Sequence, residues 1–432
     1  MPAIPAAVLS PRYRAVPYWW DGVELPDAAP GRLPREADVV VIGGGYTGLG
    51  AALELARRGR TVVVADRDAI ASGASSRNGG MVHPGGKHAL DHVLAMPDGR
   101  ALWDETVAAF EATEALIHDT GIDCGWRRSG HLELAHHPRA VAHLRVEAAA
   151  YEAIGEPAAF VARADLAGEI GSDAHHGGLL VERSASLHPG RFAAGLAAAA
   201  AAAGAHLTPH TDVRHVERAG TGFVVHSARG AVRAGEVVVA TNGYTTSLVP
   251  WLGRRILPVG SFIIATEPID AGLAASVSPR GRMFFDTRNF LSYWRLSPDG
   301  TRVLFGGRTS FAPTTVERAR DALYRAMLRV HPQLAGVAID HAWGGNVALT
   351  VDRMPHAGRD PHTGVVYSMG YCGTGVAMST HMGRTTGRWL AGDGDPPVHA
   401  RLPWRRVPAP GRVDALLPVA GWWYQARDRL GV

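Results

Sequence analysis

Hydrophobic and polar positions along the chain fall into two regimes. In the first, short apolar runs end in small-residue turns. Residues 39–42 are unbroken apolar positions, the pattern of a strand buried on both faces of a parallel sheet. A glycine turn follows over 43–48. Leu49, Ala52, Leu53 and Ala56 then share one helical face, and Gly59 ends that helix. Residues 61–65 form a second apolar run closed by Asp66. The theme returns at 236–250 ("EVVVATNGYTTSLVP") and, with a helix behind it, at 362–393. In the second regime, from about 256 to 345, polar and apolar residues alternate, as in half-buried antiparallel strands. "SPDG" is a hairpin turn within it. Residues 101–120, 137–154 and 315–330 carry helical spacing, and "CGWRRSGHLELA" reads as an extended hairpin.

These patterns predict an α/β chain of mixed α+β character. A discontinuous Rossmann-like dinucleotide-binding domain is expected over 36–100, 184–255 and 345–395. An inserted mixed, largely antiparallel β-sheet substrate domain is expected over 101–183 and 256–344. A proline-rich N-terminal arm over 1–35 lies on the surface, anchored by Tyr18, Trp19 and Trp20. A tail over 396–432, with "GWWYQARDRL", is expected to pack against that arm.

Composition narrows the function. The chain has 432 residues, enough for two or three domains, and 46% hydrophobic against 19% charged positions is globular. A formal charge of +4 without a basic block gives no support to nucleic-acid binding. No apolar run is long enough for a membrane span, and prolines interrupt the N-terminus where a signal peptide would need a continuous apolar stretch. Cys124 and Cys372 form neither a disulfide framework nor a zinc pattern, so a cytoplasmic location and no metal are expected. Of 44 basic residues only Lys87 is a lysine. It stands in "SSRNGGMVHPGGKHAL", a loop just past the second strand.

The first turn carries chemistry. Gly43, Gly45 and Gly48 fit G-x-G-x-x-G between a strand and a helix: one glycine turns the chain, one lets a pyrophosphate reach the backbone, one lets helix and strand pack. The helix N-terminus offers N–H groups and a positive dipole end to phosphate. Asp66 stands where an acidic residue binds a ribose diol.

"GGGYTGLGAALELARRG", "GASSRNGG", "VVVATNGY", "DRMPHAG" and "GYCGTGVAMSTHMGR" resemble, in order and over nearly the whole chain, the D-amino-acid oxidase superfamily of FAD enzymes. The γ-glutamylputrescine-oxidase-like branch is the most similar. The resemblance implies an FAD-binding domain with a mixed-sheet substrate domain. It places FAD against Gly43, Gly45, Tyr46, Thr47 and Gly48, with Asp66 and Arg67 at the adenosine ribose and Val213 at the adenine. Ala74, Ser75, Ser76, Arg77, Asn78, Gly79, Gly80 and Met81 would follow the ribityl chain and isoalloxazine, with Thr241 nearby. Gly370, Gly373, Thr374, Gly375 and Val376 would meet the flavin pyrimidine. Sarcosine-oxidase-type relatives often carry a flavin-linking cysteine just before "DRMP". "GGNVALTV" has none, so non-covalent FAD is expected and Cys372 is a small buried thiol.

The resemblance further implies oxidation of a C–N bond of a small-molecule amine. Hydride passes from a CH–NH or CH–NH2 carbon to flavin, an imine forms and hydrolyses to aldehyde, and dioxygen reoxidises the flavin to give hydrogen peroxide. A dehydrogenase passing electrons to a protein or quinone is the alternative, as is an oxidase of amino acids or N-methyl amino acids; an RNA-modifying flavoprotein fits less well. Amino-acid oxidases of the family usually carry an arginine after a "WGG"-like motif to clamp the α-carboxylate. Here Trp343, Gly344 and Gly345 lead to Asn346, which points to an amine lacking that group. Tyr293 and Arg295 share a strand face and, with Arg288 and Arg308, are candidates for an anionic far end of the substrate; Arg288 and Arg308 are equally expected to pair with acids. His83 is a further substrate-side candidate, while the pairs at 136–137 and 175–176 read as surface. Sarcosine oxidases activate dioxygen with a substrate-domain lysine. This chain has Lys87 alone, expected to bring its charge to the flavin or substrate from the other side, the alternative being an ordinary exposed lysine in a glycine loop. Monomer and homo-oligomer are both compatible with the sequence.

Overall fold

The structure, a computed structural model, describes residues 8–28, 31–307 and 314–408, and near the end of the chain 421, 423–424, 426–428 and 430–431. It is a mixed α/β fold on two large sheets. In the first, His206–Thr208, Val62–Ala65, Glu36–Ile42 and Gly230–Val239 run parallel, joined by Val366–Met369. The antiparallel strands Val213–Ala219 and Gly222–Ser227 extend one end of it. The apolar runs of the sequence are its centre: Val39, Val40, Val41, Val62, Val63 and Val64 are buried. The Tyr46–Arg57, Gly99–Thr120, Pro189–Ala202 and Gly375–Ala391 helices pack with one face of it in a single apolar cluster. The Gly99–Thr120 helix, expected on the substrate side, contributes Ala109, Phe110, Leu116 and Ile117 to that cluster.

The second sheet has nine strands, in the spatial order Leu9–Arg14, Ile339–Leu349, Leu257–Thr266, Val303–Gly307, Ser292–Leu296, Met283–Asp286, His131–Leu134, Gly177–Val181 and Ala158–Ala162. Alternation sorts its residues between two faces. Leu132, Phe284, Trp294, Phe305, Ile264 and Ala342 point one way and pack with Leu323 and Met327 of the Val316–Val330 helix. Thr315 caps that helix by accepting the Arg318 N–H at 3.3 Å. The residues next to these face the other way, toward the loop that follows the Val62–Ala65 strand, where Tyr293 lies by Gly79 and Trp343 bonds to Arg77. Register aligns them as one row: Glu133 opposite Phe285, Phe285 opposite Tyr293, Tyr293 opposite Gly306, Gly306 opposite Ile263, and Ile263 opposite Trp343.

The N-terminal arm is more than a surface anchor. Leu9–Arg14 pairs in parallel with Ile339–Leu349, and Trp19 is fully buried beside Trp343. Near the end of the chain, Asp428 docks on the 289–290 loop rather than on that arm. The Asp428 carboxylate accepts the Asn289 and Phe290 backbone N–H groups at 2.7 and 3.0 Å. The Asn289 side-chain amide adds a third donor at 2.8 Å, and three N–H groups of a loop are stronger bait for a tail carboxylate than an arm already paired in a sheet. His175 is buried against Trp294 rather than exposed, and burial drives its pKa down to about 3. Arg308 lies outside the described residues. Among the described residues no helix is long and apolar enough to cross a membrane.

Candidate active site

The first glycine turn makes a cradle that side chains would fill. Gly43 has φ +102°, and a Cβ there would lie 2.9 Å from the Ala240 carbonyl oxygen. A Cβ on Gly48 would lie 1.9 Å from the Gly43 oxygen, so the helix can approach its strand only with glycine at that position. The Tyr46–Arg57 helix starts after Gly45, which has no side chain to cap it; the Tyr46 N–H donates to Ser75 Oγ at 2.9 Å, and the first-turn N–H groups of Thr47 and Gly48 are the donors a phosphate can meet. Behind it the Asp66 carboxylate accepts the Gly44 N–H at 2.7 Å and the Asp68 N–H at 3.0 Å, and burial raises its pKa. These backbone donors hold the carboxylate where a sugar diol can meet it.

From this cradle a continuous cavity of about 1380 Å³ runs between the two sheets. Of the expected cofactor residues, Gly43, Gly45, Tyr46, Thr47, Asp66, Arg67, Ala74, Ser75, Arg77, Asn78, Gly79, Met81, Val213, Thr241, Gly373, Thr374, Gly375 and Val376 line it. Gly48, Ser76, Gly80 and Gly370 stand behind the wall. The Ser76 hydroxyl donates to the Ala71 carbonyl at 2.7 Å. A Cβ on Gly80 would lie 2.2 Å from the Leu187 oxygen, and one on Gly370 would lie 2.6 Å from Thr350 Cγ2. Such residues shape the loops, and a contiguous motif cannot separate them from the residues that face the space. Shape and chemistry fit an extended dinucleotide: phosphate-seeking N–H groups at one end, a buried carboxylate beside them, and a long slot beyond.

Three indoles fix the loop along the slot. Trp20 Nε1 donates to Ser76 Oγ at 2.9 Å, Trp343 Nε1 to the Arg77 carbonyl at 2.8 Å, and Trp19 Nε1 to the Asn78 carbonyl at 2.8 Å. Three consecutive residues are thus held from outside by two adjacent tryptophans near the start of the chain and one far along it. The sequence marked Trp19 and Trp20 as anchors of the arm, but not what they grip.

The substrate-side residues divide. The Tyr293 ring lies across the sheet where a Cβ on Gly306 would be 2.3 Å from it and one on Gly79 3.0 Å, and Ser261 and Tyr293 hydroxyls meet at 3.2 Å. Burial pushes its phenol pKa up to about 12, so it stays neutral. Arg295 shares that face but is a correction to the sequence reading: it lies outside the cavity, donates to the Leu187 carbonyl at 2.6 Å and stacks its guanidinium 5.1 Å from the Trp19 ring. The arm covers it. Asn346 lines the cavity with its amide turned to the Gly243 carbonyl at 3.4 Å. His83 lines it too, its ring 4.9 Å from His131 and its pKa lowered by burial.

Each of the four described arginines lining the cavity has a protein partner: Arg67 with Asp68, Arg77 with the Ser72 and Gly344 carbonyls, Arg288 with Asp286, and Arg353 with Tyr424. Lys87 lies over the second glycine turn. A Cβ on Gly373 would be 3.6 Å from Lys87 Cε and 3.8 Å from Nζ. Cys372 is buried in the same turn, its thiol donating to the Gly370 carbonyl at 3.2 Å, and burial raises its pKa. The sequence reading missed Glu133, which lines the cavity beside Phe285 and has its pKa raised by burial to about 7.

A strand–glycine-turn–helix cradle feeding a slot between two sheets defines a dinucleotide-dependent enzyme. The particular assignment comes from comparison. Residues 38–389 match the family model for DAO, the FAD dependent oxidoreductases, and the chain belongs to that family. It is 34% identical over 404 residues to the gamma-glutamylputrescine oxidoreductase of Escherichia coli, covering 91% of this chain and 93% of that one. It is also 34% identical over 369 residues to the probable oxidoreductase OrdL of Haemophilus influenzae, covering 83% and 84%. Among solved structures, glycine oxidase from Geobacillus kaustophilus superposes with a TM-score of 0.73 at 21% identity, over 87% of this chain and 99% of that one. L-Proline dehydrogenase from P. horikoshii gives 0.70 at 20% identity, over 85% and 96%. These two share the fold. FAD is therefore the dinucleotide whose fit the cradle and slot satisfy.

Proposed function

We propose that the protein oxidises a primary or secondary amine lacking an α-carboxylate to an imine, which hydrolyses to an aldehyde, and that dioxygen is the electron acceptor, giving hydrogen peroxide. Bound FAD, held non-covalently, supplies the two-electron acceptor. The observation that carries the reading is the wall opposite the glycine turns. After Trp343, Gly344 and Gly345 it offers Asn346, and each described arginine on the cavity is engaged elsewhere. Among the described residues, a free amino acid finds no unengaged guanidinium fork there. The name of the 34%-identical Escherichia coli relative, an oxidoreductase of a γ-glutamylated diamine, supports an amine.

In this reading Gly43, Gly45 and the helix N-terminus hold the pyrophosphate, and Asp66 the ribose. Residues 74–79 and the 373–376 turn flank the ring system. Tyr293, fixed in orientation and uncharged, positions the amine, and the buried walls exclude water. Tests of turnover with primary amines, secondary amines and α-amino acids, each with dioxygen alone and with an added dye, separate the alternatives. The reading expects amines to win and peroxide to form with dioxygen alone. Preference for an amino acid would refute the substrate class, and turnover only with the dye would refute the acceptor.

Lys87 places the charge that dioxygen reduction requires. Its ammonium sits by the Gly373 turn, beside the expected flavin edge, where negative charge develops on the acceptor. Lys87→Met is expected to slow reoxidation of the reduced enzyme by about tenfold or more while FAD stays bound and anaerobic reduction changes little. Stopped-flow mixing of reduced enzyme with dioxygen reads this directly; equal reoxidation rates remove the role.

A further inference from the structure

The cavity extends past the expected flavin position into a lobe with a charge that the reaction above does not use. Glu133 points into it from the His131–Leu134 strand. Its accessible surface faces the cavity, and no described residue gives its carboxylate a hydrogen bond. Along the sheet, Glu133 pairs with Phe285, and Phe285 with Tyr293. Two strand spacings, about 10 Å, therefore separate the Glu133 position from the tyrosine that marks the reacting end.

The charged and titratable groups around it come from every neighbouring element. His131 on its own strand and His83 on the loop above are held neutral by burial, with His131 Nδ1 2.6 Å from Ser184 Oγ. Asp286 is paired with Arg288, and Glu147 accepts the Leu90 N–H at 2.9 Å. Lys87 attracts the Glu133 carboxylate, whereas burial, Glu147 and Asp286 oppose its charge. The opposing effects win, since the carboxyl is raised to about 7 despite Lys87. The lobe thus still favours one more positive charge. Its walls suit such a guest: Phe285, Tyr151 and Trp103 present aromatic surface to it.

We propose that the Glu133 carboxylate receives a second, protonated amino group at the far end of the substrate, so that the favoured substrates are diamines and other amines with a distal ammonium. The inference rests on the amine reading above and adds the specificity element to it. A carboxylate without a hydrogen-bond donor among the described residues, lining a lobe of the same cavity, gains a charge-assisted hydrogen bond from the protein's ligand when such a group arrives.

The test compares 1,4-diaminobutane with butylamine, which has the same chain and one nitrogen, on flavin-loaded wild type, Glu133→Gln and Glu133→Asp. Both binding, from the perturbed flavin spectrum, and steady-state kinetics are measured. In the wild type the diamine is expected to bind at least about tenfold more tightly than butylamine, the worth of one charge-assisted hydrogen bond. Glu133→Gln is expected to abolish that preference through KM, with kcat for butylamine kept, and Glu133→Asp to restore part of it. The ratio of the two KM values is expected to shift against the diamine as pH falls through about 7, in wild type only, because the carboxyl is charged above that value and neutral below it. Equal affinity of wild type for the two amines, or equal losses for both in Glu133→Gln, overturns the proposal. If neither amine reduces the flavin yet the diamine still binds selectively and loses this in Glu133→Gln, the cation site stands and the amine-oxidation reading fails.

Discussion

Gly48→Ala is expected to yield protein with little or no bound flavin. The added methyl would lie 1.9 Å from the Gly43 carbonyl oxygen and 3.0 Å from Val41 Cγ1. Backbone lies on one side and a buried strand on the other, so the helix must move away from its strand. Overpacking of this kind costs about 1–3 kcal/mol where neighbours can adjust, and here the adjustment displaces the N–H groups that the cofactor needs. FAD affinity is expected to fall by at least about tenfold. The ratio of flavin to protein after purification, and reconstitution of apoprotein by titration with FAD, measure it. Gly168→Ala, where a Cβ meets nothing within 4 Å, is the matched control and is expected to bind FAD as the parent does.

Trp19→Ala is expected to lower global stability by about 3–5 kcal/mol, the usual cost of truncating a buried aromatic. Trp19 is fully buried, touches Trp343 and His188, stacks on Arg295 and donates to the Asn78 carbonyl. Its removal leaves that carbonyl and the Arg295 charge without a covering partner, so the loss reaches the flavin loop as well as the core. Denaturant unfolding followed with and without FAD resolves both parts. The holoenzyme and apoprotein should differ less in the variant than in the parent, because the loop the cofactor rests on is loosened. An unchanged midpoint in both forms would show that the arm is dispensable.

The sequence made local features legible and distant ones obscure. The cradle could be read because its strand, three glycines, helix and Asp66 follow one another within 28 residues, 39–66, so spacing alone sets their geometry. Helices over 99–120 and 316–330 were visible for the same reason. Glu133 was not: nothing in "HLELA" marks it, and it reaches the cavity only because its strand pairs with Met283–Asp286, far along the chain. Arg295 shows the same limit from the other side. Alternation put it correctly on the Tyr293 face, but what covers that face is an arm from the other end of the sequence. The three indoles that grip residues 76–78 likewise come from positions 19, 20 and 343, a convergence that no local pattern encodes. Lys87 was singled out by composition alone, and the fold sets it by the second glycine turn.

The measurement that bears most directly on the account is anaerobic mixing of the yellow, flavin-loaded protein with 1,4-diaminobutane, with glycine and proline run beside it. The account predicts that the diamine bleaches the oxidised-flavin absorbance in a single turnover and releases an aldehyde, while the two amino acids leave the colour in place. Persistence of the colour with every amine tried, or faster bleaching by glycine or proline, would contradict it.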